Sequence, residues 1–381
     1  MTPHAFPLLL AIVLVSVAYS VFTLLLVVSY RGGGESAQAF TPAVTLLKPL
    51  CGIEPGLLEC LRSFCEQDYP DYQIVFGVRV ASDPAVSAVE QLRQEYPHRD
   101  LALVVDGRLH GSNRKMSNLA NMLGAARHDI LVMADSDVRV ARSYLRMVAA
   151  PFQDRKVGAV TCLYTGTPTD GLPSVLGAMF INDWFLPAVL VSLALSKLNF
   201  CFGQTMAVRR DVLDELGGFT GLAPYLADDY MLGKLVSDRG FEVRLVEAGV
   251  ENVFSDSSLA PILRRELRWS RTFRTLRPVG YAFSFLTDTT TLALLYLLAS
   301  AGSPLGLSLF AATVALRVGL HAAVRRRFKA TGDSSFWLVP IRDLLCFAIR
   351  IGSFMGRRVE WKGEKFVVLS SGRLETRGQT P

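Results

Sequence analysis

Asp135-Ser136-Asp137 sets two carboxylates at i and i+2, directly after the fully apolar run Ile130–Ala134. Such a pair at a strand end can share one hard divalent cation, Mg²⁺ or Mn²⁺, that also grips a diphosphate. Both ions prefer oxygen ligands, and Mg²⁺ commonly takes one or two carboxylates together with phosphate oxygens. The bland reading is a polar loop that caps a strand, but the position after a buried strand favours the metal. Asp83 follows the β-branched run Gln73–Val80; it can bind a nucleotide's base or ribose, or cap the helix that begins at Pro84, and the two roles are compatible. Lys115, in the polar loop Gly111-Ser112-Asn113-Arg114-Lys115, stands at a helix N-terminus where phosphate binds, although a solvated turn has the same look. Adjacent Asp228 and Asp229 open another helical stretch. They either complement its dipole or supply a general base, Asp229, for an acceptor hydroxyl. Arg265, Arg268 and Trp269 fall on one helical face, where guanidinium groups can hold a leaving diphosphate and an indole can pack on a sugar. A juxtamembrane basic helix is the alternative there.

The elements around these residues alternate. Strand patterns at Ala43–Leu47, Gln73–Val80, Leu101–Asp106 and Ile130–Ala134 are separated by helical patterns at Leu57–Glu66, Ala85–Glu95 and Met116–Ala126. This β-α-β-α order predicts an α/β domain with a mostly parallel sheet over residues 42–278, whose ligands bind at the carboxyl ends of the strands. Asp83, Asp135 and Asp137 stand just beyond such ends.

Half of the 381 residues are hydrophobic, and the mean hydropathy is +0.31. That suits a soluble body with a few membrane helices. The net charge of +6 does not form a patterned basic stripe, so nucleic acid is not an expected partner. The positive residues gather beside apolar runs, as in Arg325-Arg326-Arg327 and Arg357-Arg358, where an anionic leaflet attracts them. Phe6–Tyr30 is uncharged and long enough to span a bilayer; with only Met1–His4 before it and Arg31 after it, residues 1–31 read as an anchor rather than a signal peptide. Tyr281–Ser300 and Leu305–Val324 predict a helical hairpin (281–324) turning at Ala301-Gly302-Ser303-Pro304. Phe336–Phe354, with Arg342, Asp343 and Arg350, predicts an interfacial or re-entrant helix, leaving Arg357–Phe366 cytoplasmic within a tail region, 325–381. Positive residues at these helix ends place the catalytic domain in the cytoplasm. Six scattered cysteines, none in a CxxC, fit buried thiols better than disulfides or a zinc site.

The ordered set Asp83, Asp135-x-Asp137, Asp229 and Arg265-x-x-Arg268-Trp269 resembles the D, D, D, (Q/R)xxRW signature of the ceramide glucosyltransferase family. Leu47-Lys48-Pro49-Leu50, Asn113-Arg114-Lys115-Met116-Ser117-Asn118, Cys201-Phe202-Gly203 and Arg210-Asp211-Val212-Leu213-Asp214, leading into Gly217-Gly218-Phe219, look like that family too. The resemblance implies a GT-A (Rossmann-like) nucleotide-sugar fold and an inverting transfer from a UDP-sugar to a lipid. Lys48, Asp83, Lys115, Asp135, Arg265, Arg268 and Trp269 would hold the nucleotide sugar, Asp135 and Asp137 the metal, and Asp229 would be the base. Ser63-Phe64-Cys65-Glu66-Gln67-Asp68-Tyr69-Pro70 and Phe180-Ile181-Asn182-Asp183-Trp184-Phe185-Leu186-Pro187 look most like the bacterial hopanoid-biosynthesis-associated branch. That branch moves N-acetylglucosamine from its UDP carrier to bacteriohopanetetrol, and implies a multi-pass protein of the bacterial inner membrane. A ceramide glucosyltransferase using UDP-glucose shares the same motifs, and a non-catalytic lipid-binding protein would not need the intact carboxylates. The few spans argue against a processive polysaccharide synthase, which needs a channel.

Overall fold

The fold brings the expected carboxylates, Asp83, Asp135, Asp137 and Asp229, to one edge of a large sheet, whereas Asp68–Pro70 and Arg210 stand at the opposite edge. A computed structural model describes residues 5–32, 40–169, 171–332, 336–356, 358–361, 364–369 and 372–376. Its eight-stranded sheet contains β1 (Val44–Pro49), β2 (Tyr72–Val78), β3 (Asp100–Val105), β4 (Ile130–Ala134), β5 (Val138–Val140), β6 (Val157–Pro168), β7 (Thr205–Arg209) and β8 (Glu242–Phe254). The strand order is β3-β2-β1-β4-β7-β6-β8-β5. β3, β2, β1 and β4 run parallel, β7 is antiparallel to both neighbours, and β6 pairs parallel with β8. Two reversals bring β6 and β8 back to the direction of β4. The carboxyl ends of β1, β2, β3, β4, β6 and β8 therefore share one edge with the starts of the reversed strands β5 and β7.

The strands with unbroken apolar runs are covered on both faces. β2 and β4 are buried along their whole lengths, as parallel strands flanked by helices must be. Between β1 and β4 the predicted strands and helices stand within a few residues of the observed ones; Ala85–Glu95 and Ile130–Ala134 coincide. Five of the six free cysteines are buried and Cys51 is exposed.

The membrane side differs from expectation in three places. Helices Phe6–Ser29 and Pro304–Phe328 are long and apolar enough to cross a membrane, but so is Gly171–Leu195, inside the segment expected to be the soluble body. That third helix has 61% of its apolar window buried within the protein, so its hydrophobicity serves packing on β6 and on the N-terminal helix as well. The expected span Tyr281–Ser300 is broken: Pro278–Thr287 and Thr289–Ala299 meet at an angle of 63°. The break falls at Asp288, whose carboxylate accepts a hydrogen bond from Arg350 Nε at 2.8 Å. Finally, the charges of the helix Leu338–Phe354 are paired inside the protein. Arg342 bonds Glu266 (2.5 Å), Asp343 is gripped by Arg317 (2.7 Å) and Arg350 by Asp288. Charge that argued against a simple span in the sequence is thus neutralised by neighbouring helices. Met1–His4 and Arg357 lie outside the described residues.

The C-terminal segment, expected as a plain tail, forms a three-stranded antiparallel sheet of β9 (Arg358–Trp361), β10 (Glu364–Val368) and β11 (Leu374–Thr376). Val359 and Phe366 bury Leu226, and Gly372 O accepts from Leu226 N at 3.2 Å. The tail thereby braces the loop that leads into Asp228.

Glu266 and Arg342 are each 1% exposed and join the helix Leu259–Leu276 to Leu338–Phe354. Removing one partner of a buried ion pair leaves the other charge uncompensated, which costs about 3–5 kcal/mol. Glu266→Ala is therefore expected to destabilise the detergent-solubilised protein by about 3–5 kcal/mol, read as a lowered midpoint of thermal unfolding. An unchanged thermal melt contradicts the pair's structural role.

Candidate active site

Lys48 is the penultimate residue of β1 and is fully buried. Its ammonium donates to the backbone carbonyl of Asp135 at 2.5 Å and stands 3.8 Å above the Phe64 ring. Burial pushes the amine down to about 8, against the pull of nearby acids that include Asp135 and Asp137. Lys48 thus holds the β4–β5 turn from beneath.

Asp135, Ser136 and Asp137 fill that turn. Asp137 is clasped through its backbone carbonyl by Val253 N at 2.8 Å and through its carboxylate by Asn252 Nδ2 at 3.3 Å. Burial, then the charges of Asp135 and Glu54, push its carboxyl up to about 6. Repulsion among oxygen donors is relieved by a cation, so the donor set fits a divalent metal. Among the described residues no cluster of three or more His, Cys, Asp or Glu side chains is arranged to hold one. Two carboxylates are the share that Mg²⁺ takes from a protein when phosphate oxygens and water complete the shell.

Lys115 belongs to the helix Arg114–Met122, whose N-cap Asn113 accepts from Met116 N at 3.0 Å. Asn113 is wholly buried and its amide also donates to Tyr225 O (2.9 Å) and Asp228 Oδ1 (3.2 Å), so this loop is an internal joint rather than a solvated turn. Lys115 Nζ lies 2.5 Å from Asp135 Oδ1 and 3.8 Å from Asp228 Oδ2. Burial alone lowers a lysine, but the charges of Asp135 and Asp228 more than offset it and the amine ends raised.

Asp228 and Asp229 start the helix Asp228–Asp238. Gly233 lets this helix close on the chain before β7, because a Cβ there would stand 2.4 Å from Phe200 Cα. The approach sets Asp229 beside Gly203. Tyr230 N donates to Asp229 Oδ1 at 2.7 Å, and a Cβ on Gly203 would lie 3.3 Å from Oδ2. Burial, then neighbouring Asp228, push Asp229 up to about 6. Asp228 is also raised, mainly by burial. The two acids differ in duty: Asp228 is tied to Asn113 and Lys115, while Asp229 keeps an oxygen toward Gly203.

On the helix Leu259–Leu276, Arg265 bonds Asp256 at 2.8 Å and stacks on Phe254 (4.8 Å) and Trp269 (5.8 Å). Arg268 is pushed down to about 10 by burial and by Arg265, while Asp228, Asp229 and Asp135 oppose the shift. Its guanidinium therefore feels the carboxylate cluster. Trp269 stacks on Phe180 at 5.5 Å, and Phe180 on Trp184 at 6.0 Å. Asp83 stands at the same sheet edge, where its carboxylate accepts from Gly52 N (3.0 Å) and Ala85 N (2.9 Å). The helix-starting role is thus present, joined to a clasp on the loop after β1.

Lys48, Lys115, Asp135, Asp137, Asp228, Asp229 and Arg268 act on one another electrostatically, and Arg265 acts on Asp137. Sequence reasoning passed over Asp256, Glu54 and Asn252. Asp256 and Asn252 belong to β8 and its end, a strand it did not assign; Glu54 lies in the loop between β1 and the helix Leu57–Cys65.

The description "Glycosyl transferase family 21" fits residues 8–374. Ceramide glucosyltransferase 3 of Caenorhabditis elegans is 26% identical over 231 residues, covering 60% of this chain and 50% of that one. An N-acetylglucosaminyltransferase of Rhizobium meliloti (strain 1021) is 27% identical, covering 61% and 56%. The match spans about half the length of each. Among solved structures, the mannosyltransferase PcManGT of Pyrobaculum calidifontis superposes with a TM-score of 0.56 at 20% identity, over 90% of this chain and 99% of that one, which shows the GT-A fold. With the expected carboxylates gathered at one sheet edge and the family description matched over residues 8–374, the chain belongs to glycosyl transferase family 21.

Proposed function

We propose that this protein transfers a sugar from a UDP-sugar to a hydroxyl of a membrane lipid with inversion at the anomeric carbon. The proposed donor is UDP-N-acetylglucosamine and the proposed acceptor the hopanoid bacteriohopanetetrol. The observation that carries the reading is Asp229: a half-buried carboxylate beside Gly203, pushed up to about 6 and in electrostatic reach of the Asp135–Asp137 turn and of Arg268. In the transfer, the acceptor oxygen gives its proton to Asp229 and forms a bond to the anomeric carbon. The bond from that carbon to the diphosphate oxygen breaks, and UDP leaves with the electron pair. Lys115, Arg265 and Arg268 face the developing charge, and stabilising that charge contributes most to lowering the barrier of such a step. Asp135 and Asp137 would hold a divalent ion, Mg²⁺ or Mn²⁺, which supplies charge neutralisation on the diphosphate. The fold relative from Pyrobaculum calidifontis, solved with GDP-Man and Mn²⁺, supports the nucleotide-sugar and metal reading. Lys48 positions the metal turn, Asp83 meets the uridine, and Trp269 packs toward the sugar side.

The cytoplasmic face of a bacterial inner membrane is the proposed location. Arg327, in the last turn of Pro304–Phe328, donates to Tyr30 O at 2.6 Å and lies 3.5 Å from Glu247 of β8. The basic ends of two apolar helices thus meet the sheet domain on one side, which the positive-inside rule assigns to the cytoplasm. A second reading, glucose transfer to ceramide, is favoured by the Caenorhabditis relative's name.

Mass spectrometry of products separates the two. Membranes containing the protein receive UDP-N-acetylglucosamine or UDP-glucose with bacteriohopanetetrol or ceramide. A hopanoid bearing N-acetylhexosamine supports the first reading; a hexosylceramide replaces it with the second.

The raised Asp229 predicts the pH profile. A protonated carboxyl cannot accept a proton, and a carboxyl raised to about 6 is ionised only above that pH. The kcat/KM is therefore expected to hold at neutral pH and to fall about tenfold per unit below about pH 6. A profile flat through that range contradicts Asp229 as the base.

A further inference from the structure

A second polar centre lies among the apolar helices, away from the metal turn. Ser20 and Thr23 of the N-terminal helix, Asp183 and Trp184, Thr287 at the broken helix and Arg317 of Pro304–Phe328 line one small cavity. Asp183 sits in a single π-helical turn, Ile181–Phe185, within the Gly171–Leu195 helix. Such turns recur at functional sites because they re-aim side chains. Here Asn182 bonds both backbone groups of Gly166 in β6 at 2.8 Å, which pins the turn, and Asp183 faces the bundle. Asp183 is 3% exposed; its Oδ1 meets His321 Nδ1 at 2.7 Å, and its Oδ2 has no hydrogen-bond partner. An acceptor atom left open in an apolar surrounding is costly, and a ligand donor or water must satisfy it.

The charges decide the class of ligand. Arg317, Arg342 and Arg350 are each matched by Asp343, Glu266 and Asp288, which leaves Asp183 with His321. No cation in this set is left over for a phosphate. The open Asp183 carboxylate oxygen suits a neutral hydroxyl donor. Ser20 Oγ is shared with Thr289 at 2.6 Å and the Thr23 hydroxyl donates to Tyr19 O at 2.8 Å, so each has an oxygen lone pair left to accept a second hydroxyl. The cavity's size suits a hydroxyl or two and excludes a sugar ring.

The same π-helical turn also touches the site. Phe185 packs on Tyr164 at 5.0 Å and on Phe202 at 5.2 Å, and Tyr164 is raised by burial and by the charges of Asp229, Asp137 and Asp135. Trp184 reaches Trp269 through the Phe180 stack. Two aromatic chains, Phe185–Tyr164 and Trp184–Phe180–Trp269, therefore connect the π-helical turn at the cavity to the surroundings of the carboxylates. We propose that this cavity is a headgroup subsite: it takes hydroxyls of a neutral, multiply hydroxylated lipid and so orients the acceptor's reacting hydroxyl toward Asp229. The orienting role rests on the lipid-acceptor reading above; the binding role does not.

Ala188 also lines the cavity, on the same helix one turn from Trp184. Ala188→Leu fills the space and leaves every polar side chain in place. The full-length protein in phosphatidylcholine nanodiscs is tested in two ways. The first is the shift of its melting temperature on adding ceramide or bacteriohopanetetrol, compared with phosphatidylglycerol. The second is the KM for acceptor and for UDP-sugar. The wild type is expected to be stabilised by the neutral hydroxylated lipids and not by the anionic one. Ala188→Leu is expected to lose that stabilisation and to raise the acceptor KM about tenfold, with the donor KM unmoved. If the leucine variant does not fold, Ala188→Val gives the same discrimination with less added volume. Stabilisation and acceptor KM unchanged by a folded, filled variant overturn the subsite and leave a cavity holding water only, as does a wild type that no neutral hydroxylated lipid stabilises. A wild type that transfers no sugar, but whose stabilisation by lipid is lost in the variant, keeps the subsite and overturns the proposed reaction.

Discussion

Asp229→Asn is expected to lower kcat by about 10²–10⁴-fold while the affinity for UDP-sugar survives, the range that loss of a positioned general base covers. Asparagine has nearly the same shape, so its side-chain oxygen can still accept from Tyr230 N and the helix start is preserved. What it cannot do is take the acceptor's proton. Asp228→Asn provides the contrast. Asp228 touches Asn113 and stands 3.8 Å from Lys115, so its loss should loosen Lys115 and raise the donor KM more than it lowers kcat. Isothermal titration with UDP and steady-state turnover read the two quantities separately. A folded Asp229→Asn protein that has lost nucleotide binding, or that retains most of its turnover, removes Asp229 from the role.

Asp137→Ala is expected to cost about 10²–10³-fold in kcat/KM, the scale of removing one preorganised electrostatic contact from a developing charge. Asp137 sits against Asp135 and Glu54, and that crowding is what a cation relieves. Chelation of the wild type with EDTA is expected to abolish UDP release, with Mg²⁺ or Mn²⁺ restoring it. The Asp137→Ala variant should need a higher metal concentration for half-maximal rate. Undiminished turnover in EDTA contradicts a metal at Asp135 and Asp137.

The first half of the sheet was legible because its strands are short, apolar and separated by helices of ordinary spacing; Ile130–Ala134 shows both signals, and the turn after it carries the paired carboxylates. The second half was not. β6 and β8 are long and pair in parallel with register shifts between Val157 and Ala159 and between Cys162 and Tyr164, pairing that no local pattern announces. Because β8 was not seen, neither Asn252 beneath Asp137 nor Asp256 beside Arg265 could be placed. The helix Gly171–Leu195 was overlooked because no charge run closes it as Arg325-Arg326-Arg327 closes Pro304–Phe328. Arg342, Asp343 and Arg350 looked like obstacles to membrane burial, since a sequence shows a charge but not its partner. Only tertiary contact pairs Arg342 with Glu266, 76 residues away. Lys48 stood out through its family-like neighbours; its function as a buried prop for the Asp135 carbonyl is a property of the folded sheet.

The most direct test of the central claim is the anomeric configuration of the product. Membranes containing the protein are supplied with a UDP-α-linked sugar and a lipid acceptor, and the glycolipid is examined by proton NMR. A single displacement assisted by Asp229 yields a β-linked glycolipid. An α-linked product contradicts that mechanism, and UDP release with no sugar on any lipid contradicts the proposed transfer itself.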